Sequence, residues 1–215
     1  MIEFIVFCIP SVVYVIVQSR GQGQDVESSL QRVGATWGSP SGYRWALVLL
    51  LPILLTGWLA ITVIPAEILD DPGVTVGRIT SVGAAVGVVA RAVGEEVFFR
   101  GLLGGVLMRR LGFGWGNLLQ AAAFIVPHLA LVLIDARIWP IIPVQFAAGW
   151  LFGWLRYKTG TFVPGAALHV ITNIVAGVVV GNYETCNAVR AQLSALQAWT
   201  LAQSGSTAAE SRGPR

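Results

Sequence analysis

Two adjacent carboxylates and an arginine stand inside a long apolar run, and that placement limits what this chain can become. The stretch is Gly94-Glu95-Glu96-Val97-Phe98-Phe99-Arg100. Ile79 to Ala90 before it and Gly101 to Met108 after it carry no charge. A charged side chain at the centre of a bilayer span costs roughly 2.5–3.5 kcal/mol on insertion scales, so such groups are rare there and mark function. Glu96 and Arg100 are i,i+4 on a helix and share one face, where they can pair. Glu95 is turned about 100° from Glu96, which leaves it as the carboxylate available for chemistry.

Composition supports the membrane reading. Charged residues are 12% of the chain and the mean hydropathy is +0.71, against roughly 25% charged residues in a soluble domain. An all-α, polytopic bundle of about six transmembrane helices is expected. The net charge of +3 does not point to nucleic acid, because the basic residues gather at span ends. Thirteen of the fourteen basic residues are Arg, which fits a GC-rich bacterial genome and hence a bacterial plasma membrane. Cys8 and Cys186 lie far apart and indicate no disulfide framework. The N-terminal run has no basic leader and no Ala-x-Ala site before Arg20, so it reads as a retained span.

Taken in order, spans are expected at Ile2–Val17, Trp45–Ile64, Arg78–Leu111, Asn117–Ile134, Trp139–Leu155 and from Pro164 to about Gly181. Val26, Leu30 and Val33 mark a short surface helix in the first loop. The third stretch is about 50 Å long at 1.5 Å per residue, more than a bilayer core of about 30 Å, so tilt or a break near Gly94 or Gly101 is expected. Leu111–Gly116 and Arg156–Thr161 read as turns. Loops after spans one, three and five hold seven Arg/Lys residues and those after spans two and four hold two, which places the first set in the cytoplasm. The domain is expected at 1–185, with a motif-bearing core at 78–181. Residues 186–215 read as a surface helix on the stripe Val189, Leu193, Leu196, Trp199, then a disordered tail from Ser204.

The only two histidines, His128 and His169, both fall inside expected spans. By helical rise, Glu95 lies about 21 Å from Arg109, His128 about 18 Å from Gly116, and His169 and Asn173 about 8 and 14 Å from Pro164. All four sit in the cytoplasmic half or near the midplane and can line one polar pocket. Pro127 lacks the amide that would bond the carbonyl of Ala123 and is expected to kink its span beside His128.

Glu-Glu-x-x-x-Arg, then Phe-x-x-x-His, then His-x-x-x-Asn, in that order on three spans, resembles the CPBP family. These are intramembrane endopeptidases similar to type II CAAX prenyl proteases, also called Abi proteins. The likeness runs from about Arg78 to Gly181. It implies glutamate-dependent proteolysis of a membrane-associated protein or peptide. By that likeness Glu95 activates water with help from His128, His169 and Asn173 form the oxyanion hole, and Glu96 with Arg100 braces the helix. An Asn amide is a suitable oxyanion donor. No cofactor is implied. Two other readings use the same residues: a zinc protease with Glu95, His128 and His169 as ligands, and a non-catalytic peptide-binding or immunity protein. The partners expected are membrane lipid and the peptide substrate, with no nucleic acid.

Overall fold

The computed structural model describes residues 2–21, 23–65, 68, 79 and 81–210. Helices are the only regular structure among them. They are α1 (Ile2–Ser19), α2 (Val26–Val33), α3 (Pro40–Val63), α4 (Val82–Glu95), a π-helical segment (Glu96–Gly104), α5 (Gly105–Ile134), a 3-10 turn (Ala136–Ile138), α6 (Ile141–Thr159) and α7 (Val163–Glu210). Glu67, Asp70, Asp71 and Arg78, where the third expected span starts, lie outside the described residues. Two compact units are present, Met1–Val178 and Val179–Arg215.

Local signals set most boundaries. In α2, Asp25 accepts from the Ser28 amide while the Ser28 hydroxyl returns to the Asp25 amide, a capping box. Its C-terminus closes on Gly34 at φ 74°, a left-handed position where a Cβ is unfavourable. α3 starts five residues before the expected Trp45, because Ser39-Pro40 supplies a helix start with Pro in the first turn. Ser81 caps α4 by accepting from the Ala84 amide.

Three boundaries differ from the sequence expectation. No break occurs at Gly94 or Gly101; the chain widens into the π-helical segment instead, and the break falls at Gly112 (φ 73°, ψ 171°). The turn expected over Leu111–Gly116 therefore narrows to that one residue, and helix resumes at once. Arg156 to Thr159 are the last turn of α6 rather than a loop, with Gly160 in the left-handed cap position and two basic side chains at the negative end of the dipole. α5 stays helical through Pro127.

Ile2–Ser19, Pro40–Val63 and Val82–Ile134 are each long and apolar enough to cross a bilayer, the last being divided at Gly112, and Val163–Val179 is a shorter apolar helix. Ile5, Ile9, Val12 and Ile16 of α1, and Leu47, Leu51, Leu55 and Leu59 of α3, are exposed. Rows of exposed aliphatic side chains along whole helices suit lipid tails and not water. A buried apolar cluster of Ala46, Ile53, Phe152, Leu155 and Leu168 ties α3, α6 and α7 together. In the second unit, α7 is helical as far as Glu210, beyond Ser204. Leu193, Leu196 and Trp199 there are exposed.

Candidate active site

The two glutamates stand where the helix changes character. Glu95 closes α4 and Glu96 opens the π-helical segment. π-turns bond i→i+5 and occur as short insertions, often at functional sites. Neighbouring helices approach this segment closely. A Cβ on Gly101 would meet the Val33 carbonyl at 3.2 Å and the Phe162 ring at 3.3 Å. From α1, the Ser11 hydroxyl donates to the Val97 carbonyl at 3.2 Å, and Phe7 packs on Phe98 and Phe99.

Arg100 Nη1 lies 2.9 Å from Glu96 Oε1, with both side chains 0% exposed. The pair is close but lies off the axis of a hydrogen bond. The guanidinium is covered by rings instead: its Cζ is 4.0 Å from the centre of Phe124 and 5.2 Å from that of Phe152. Such cation–π contact offsets part of the loss of water.

α7 supplies the third member of this cluster. His169 Nδ1 is 3.0 Å from Glu96 Oε1. A carboxylate oxygen accepts, so Nδ1 is the protonated nitrogen in this contact. The other nitrogen, Nε2, faces Glu95 Oε2 at 3.8 Å, beyond hydrogen-bond reach. Glu95 keeps 12% side-chain exposure against 0% for Glu96. The adjacent carboxylates thus differ: one is sealed and paired, the other borders accessible space.

His128 projects from α5, half-buried, and its Nδ1 donates to the Phe124 carbonyl at 2.9 Å. Its ring lies 5.0 Å from Phe124, whose ring lies 6.3 Å from His169. Phe124 therefore sits between Arg100 and both histidines. Asn173, one turn beyond His169, is half-buried, and its side chain makes no hydrogen bond among the described residues. The structure brings Glu95, Glu96, Arg100 and His169 into direct proximity and joins His128 to them through Phe124. Asn173 shares the helix with His169 without touching a polar partner.

Among the described residues no three His, Cys, Asp or Glu side chains converge on one point. Glu96 already serves Arg100 and His169, and His128 Nδ1 is held by its own backbone.

A buried polar pair and a buried arginine escaped the sequence reading. Asn117 and Gln120 are fully buried and staple α5 to α6: Gln120 Nε2 donates to the Gly149 carbonyl at 2.7 Å, and Asn117 Nδ2 to that of Trp150 at 3.1 Å. Their i,i+3 spacing at the head of an apolar span was the available signal. Arg156, in contrast, was read as a loop residue but is nearly buried. Phe152, beneath Arg100, carries no sequence signal that separates it from ordinary core.

The class these features define is an all-helical membrane protein with an ionisable cluster sealed between its helices. Residues 78–175, slightly less than half of the chain, match the model of the type II CAAX prenyl endopeptidase Rce1-like family, and this stretch is similar to that protease family. It contains Glu95, Glu96, Arg100, His128, His169 and Asn173. No curated protein and no solved structure matches the chain.

Proposed function

We propose that the chain is an intramembrane endopeptidase of a bacterial plasma membrane, crossing it six times and cleaving a membrane-associated protein or peptide without a metal. The observation that carries the reading is the unequal treatment of Glu95 and Glu96. Glu96 is committed to Arg100 and His169, while Glu95 stays partly open and faces the second nitrogen of the same imidazole.

In this reading Glu95 takes a proton from the attacking water, and the oxygen adds to the scissile carbonyl. His128, pinned through Nδ1, offers Nε2 to the same water. The Asn173 amide donates to the developing oxyanion, together with His169 Nε2 when that ring, oriented by Glu96, carries its second proton; this is where preorganised donors act most strongly. Collapse of the intermediate breaks the C–N bond, and the proton held by Glu95 passes to the leaving amine. The match at 78–175 supports the protease class, and the charged cluster inside apolar helices supports hydrolysis within the membrane. Gly112 divides Val82–Ile134 into two spans, and α6 with the start of α7 completes six.

Purified wild-type protein and Glu95→Gln should be compared on a library of membrane-soluble peptides. The variant is expected to lose at least about 10²-fold in kcat/KM, the scale of a lost general base, with a Tm within about 2 °C of wild type. Equal cleavage by both proteins sinks the assignment of Glu95. Binding without cleavage by wild type favours a peptide-binding protein.

A further inference from the structure

A second cluster of charge lies where α1, α2, α5 and α6 meet, and no carboxylate among the described residues balances it. Arg109 Nη1 donates to the Arg32 carbonyl at 2.8 Å, and Arg156 Nη2 donates to that same oxygen at 3.2 Å. Arg109 Nη2 also reaches the Tyr14 hydroxyl at 3.2 Å. Two guanidinium groups sharing one acceptor stand within a few ångströms of each other and repel.

One function of this contact is plain. Gly34 and Ala35 bond back to Gln31 and Leu30, so the Arg32 carbonyl is an open acceptor at the end of α2, and a guanidinium satisfies it. A single arginine would do that. The second is unexplained, and Arg156 is a costly choice: it is only 9% exposed, its Nε has no hydrogen-bond partner, and its guanidinium lies flat on Gly34, where a Cβ would come within 2.5 Å of Cζ. A buried cation without a counter-charge is unfavourable. Among the described residues neither Arg109 nor Arg156 has a carboxylate partner, although Glu3, Glu96 and Asp135 all have cationic ones.

We propose that Arg109 and Arg156 form a seat for a phosphate group, open to the aqueous side through the exposed Arg109. Guanidinium forks suit tetrahedral oxyanions because two N–H groups meet two oxygens at once. The location fits: both arginines lie at helix ends, the depth of lipid phosphates, on the face with the excess of basic loops. A phosphate here would tie together four helices, beside the π-helical segment, since a Cβ on Gly105 would lie 3.4 Å from the Arg32 carbonyl. The phosphate has two sources to choose from, an anionic lipid headgroup or the free ion.

The test is thermal melting of the full chain in a neutral detergent. Dioctanoyl phosphatidylglycerol, dioctanoyl phosphatidylcholine and sodium phosphate are titrated separately, with sodium chloride at matched ionic strength as reference. Phosphatidylglycerol should raise the wild-type Tm by about 3 °C or more at saturation, the size expected of a ligand that binds only the folded state. A matching rise with sodium phosphate identifies a seat for the free ion as well; a rise with the lipid alone identifies a headgroup seat. Arg109→Gln, an exposed change that leaves Arg156 to hold the Arg32 carbonyl, should lose at least half of the rise. Arg110→Gln, on the same face outside the cluster, should keep it. No rise with either phosphate source, an undiminished rise in Arg109→Gln, or an equal loss in Arg110→Gln overturns the proposal, the last by showing diffuse attraction to a basic face.

Discussion

Replacing Arg100 by Ala removes the cation from a carboxylate that has no access to water. Glu96 would keep only His169 as a partner, 3.0 Å from Oε1, and its Oε2 already lacks a hydrogen bond. Breaking a buried pair by removing one member costs about 3–5 kcal/mol, because the survivor stays buried and uncompensated. The void left between Phe124 and Phe152 adds to this. For a domain of this size each kcal/mol shifts Tm by roughly 2–4 °C, so a fall of about 6–20 °C is expected. The assay is thermal melting of detergent-purified protein, followed by tryptophan fluorescence and by retention on size exclusion after heating. Replacing both partners, Glu96→Gln with Arg100→Met, should do less damage than the two single changes added together, with a coupling of about 0.5–3 kcal/mol. An Arg100→Ala protein melting within about 2 °C of wild type would refute the brace, as would strictly additive single changes.

Two further outcomes follow from contacts elsewhere. Gly153→Ala would drive a methyl group into Asn117 Oδ1 and to 2.6 Å from Gln120 Nε2, displacing buried hydrogen bonds at about 1–3 kcal/mol, and a melting scan should show a fall of about 2–12 °C; an unchanged Tm removes Asn117 and Gln120 from the α5–α6 staple. Peptidase activity should survive dialysis against EDTA or phenanthroline; if chelation abolishes it and zinc alone restores it, Glu95, His128 and His169 become ligands and the water-activating role of Glu95 falls.

The long apolar helices were legible because apolar run length and composition nearly fix them alone, and the Glu96–Arg100 pair was legible because helical spacing brings i and i+4 together in nearly any helix. The α2 helix was legible from three apolar positions, though its capping box at Asp25 and Ser28 was not read from them. What escaped depends on contacts between helices. That His169 reaches Glu96 rather than standing apart as an oxyanion donor requires the rotation of α7 against the π-helical segment, and no periodicity within either helix encodes it. The π-widening itself has no distinct composition: Gly94, Gly101, Gly104 and Gly105 mark close approach equally well in a regular helix. Arg156 was hidden for a related reason. A basic residue near a span end reads as a solvated loop, and only the folding of α2 over it makes it buried.

The neighbouring glutamates show how one residue type serves two purposes within a single turn. A step of one residue rotates the side chain by about 100°, which carries Glu96 into the seam closed by Phe124 and Phe152 and leaves Glu95 at its edge. His169 spans the boundary, with one ring nitrogen held on the sealed side and the other presented to the open side. Its orientation is therefore set by the sealed carboxylate and expressed beside the partly exposed one. The buried charges, which on stability grounds could be exchanged for apolar side chains, then have a reason to persist: an apolar replacement for Glu96 would fill the seam and leave the imaginable rotations of His169 unrestrained. Stability and chemistry are coupled through that single oxygen, Glu96 Oε1, which both Arg100 and His169 share.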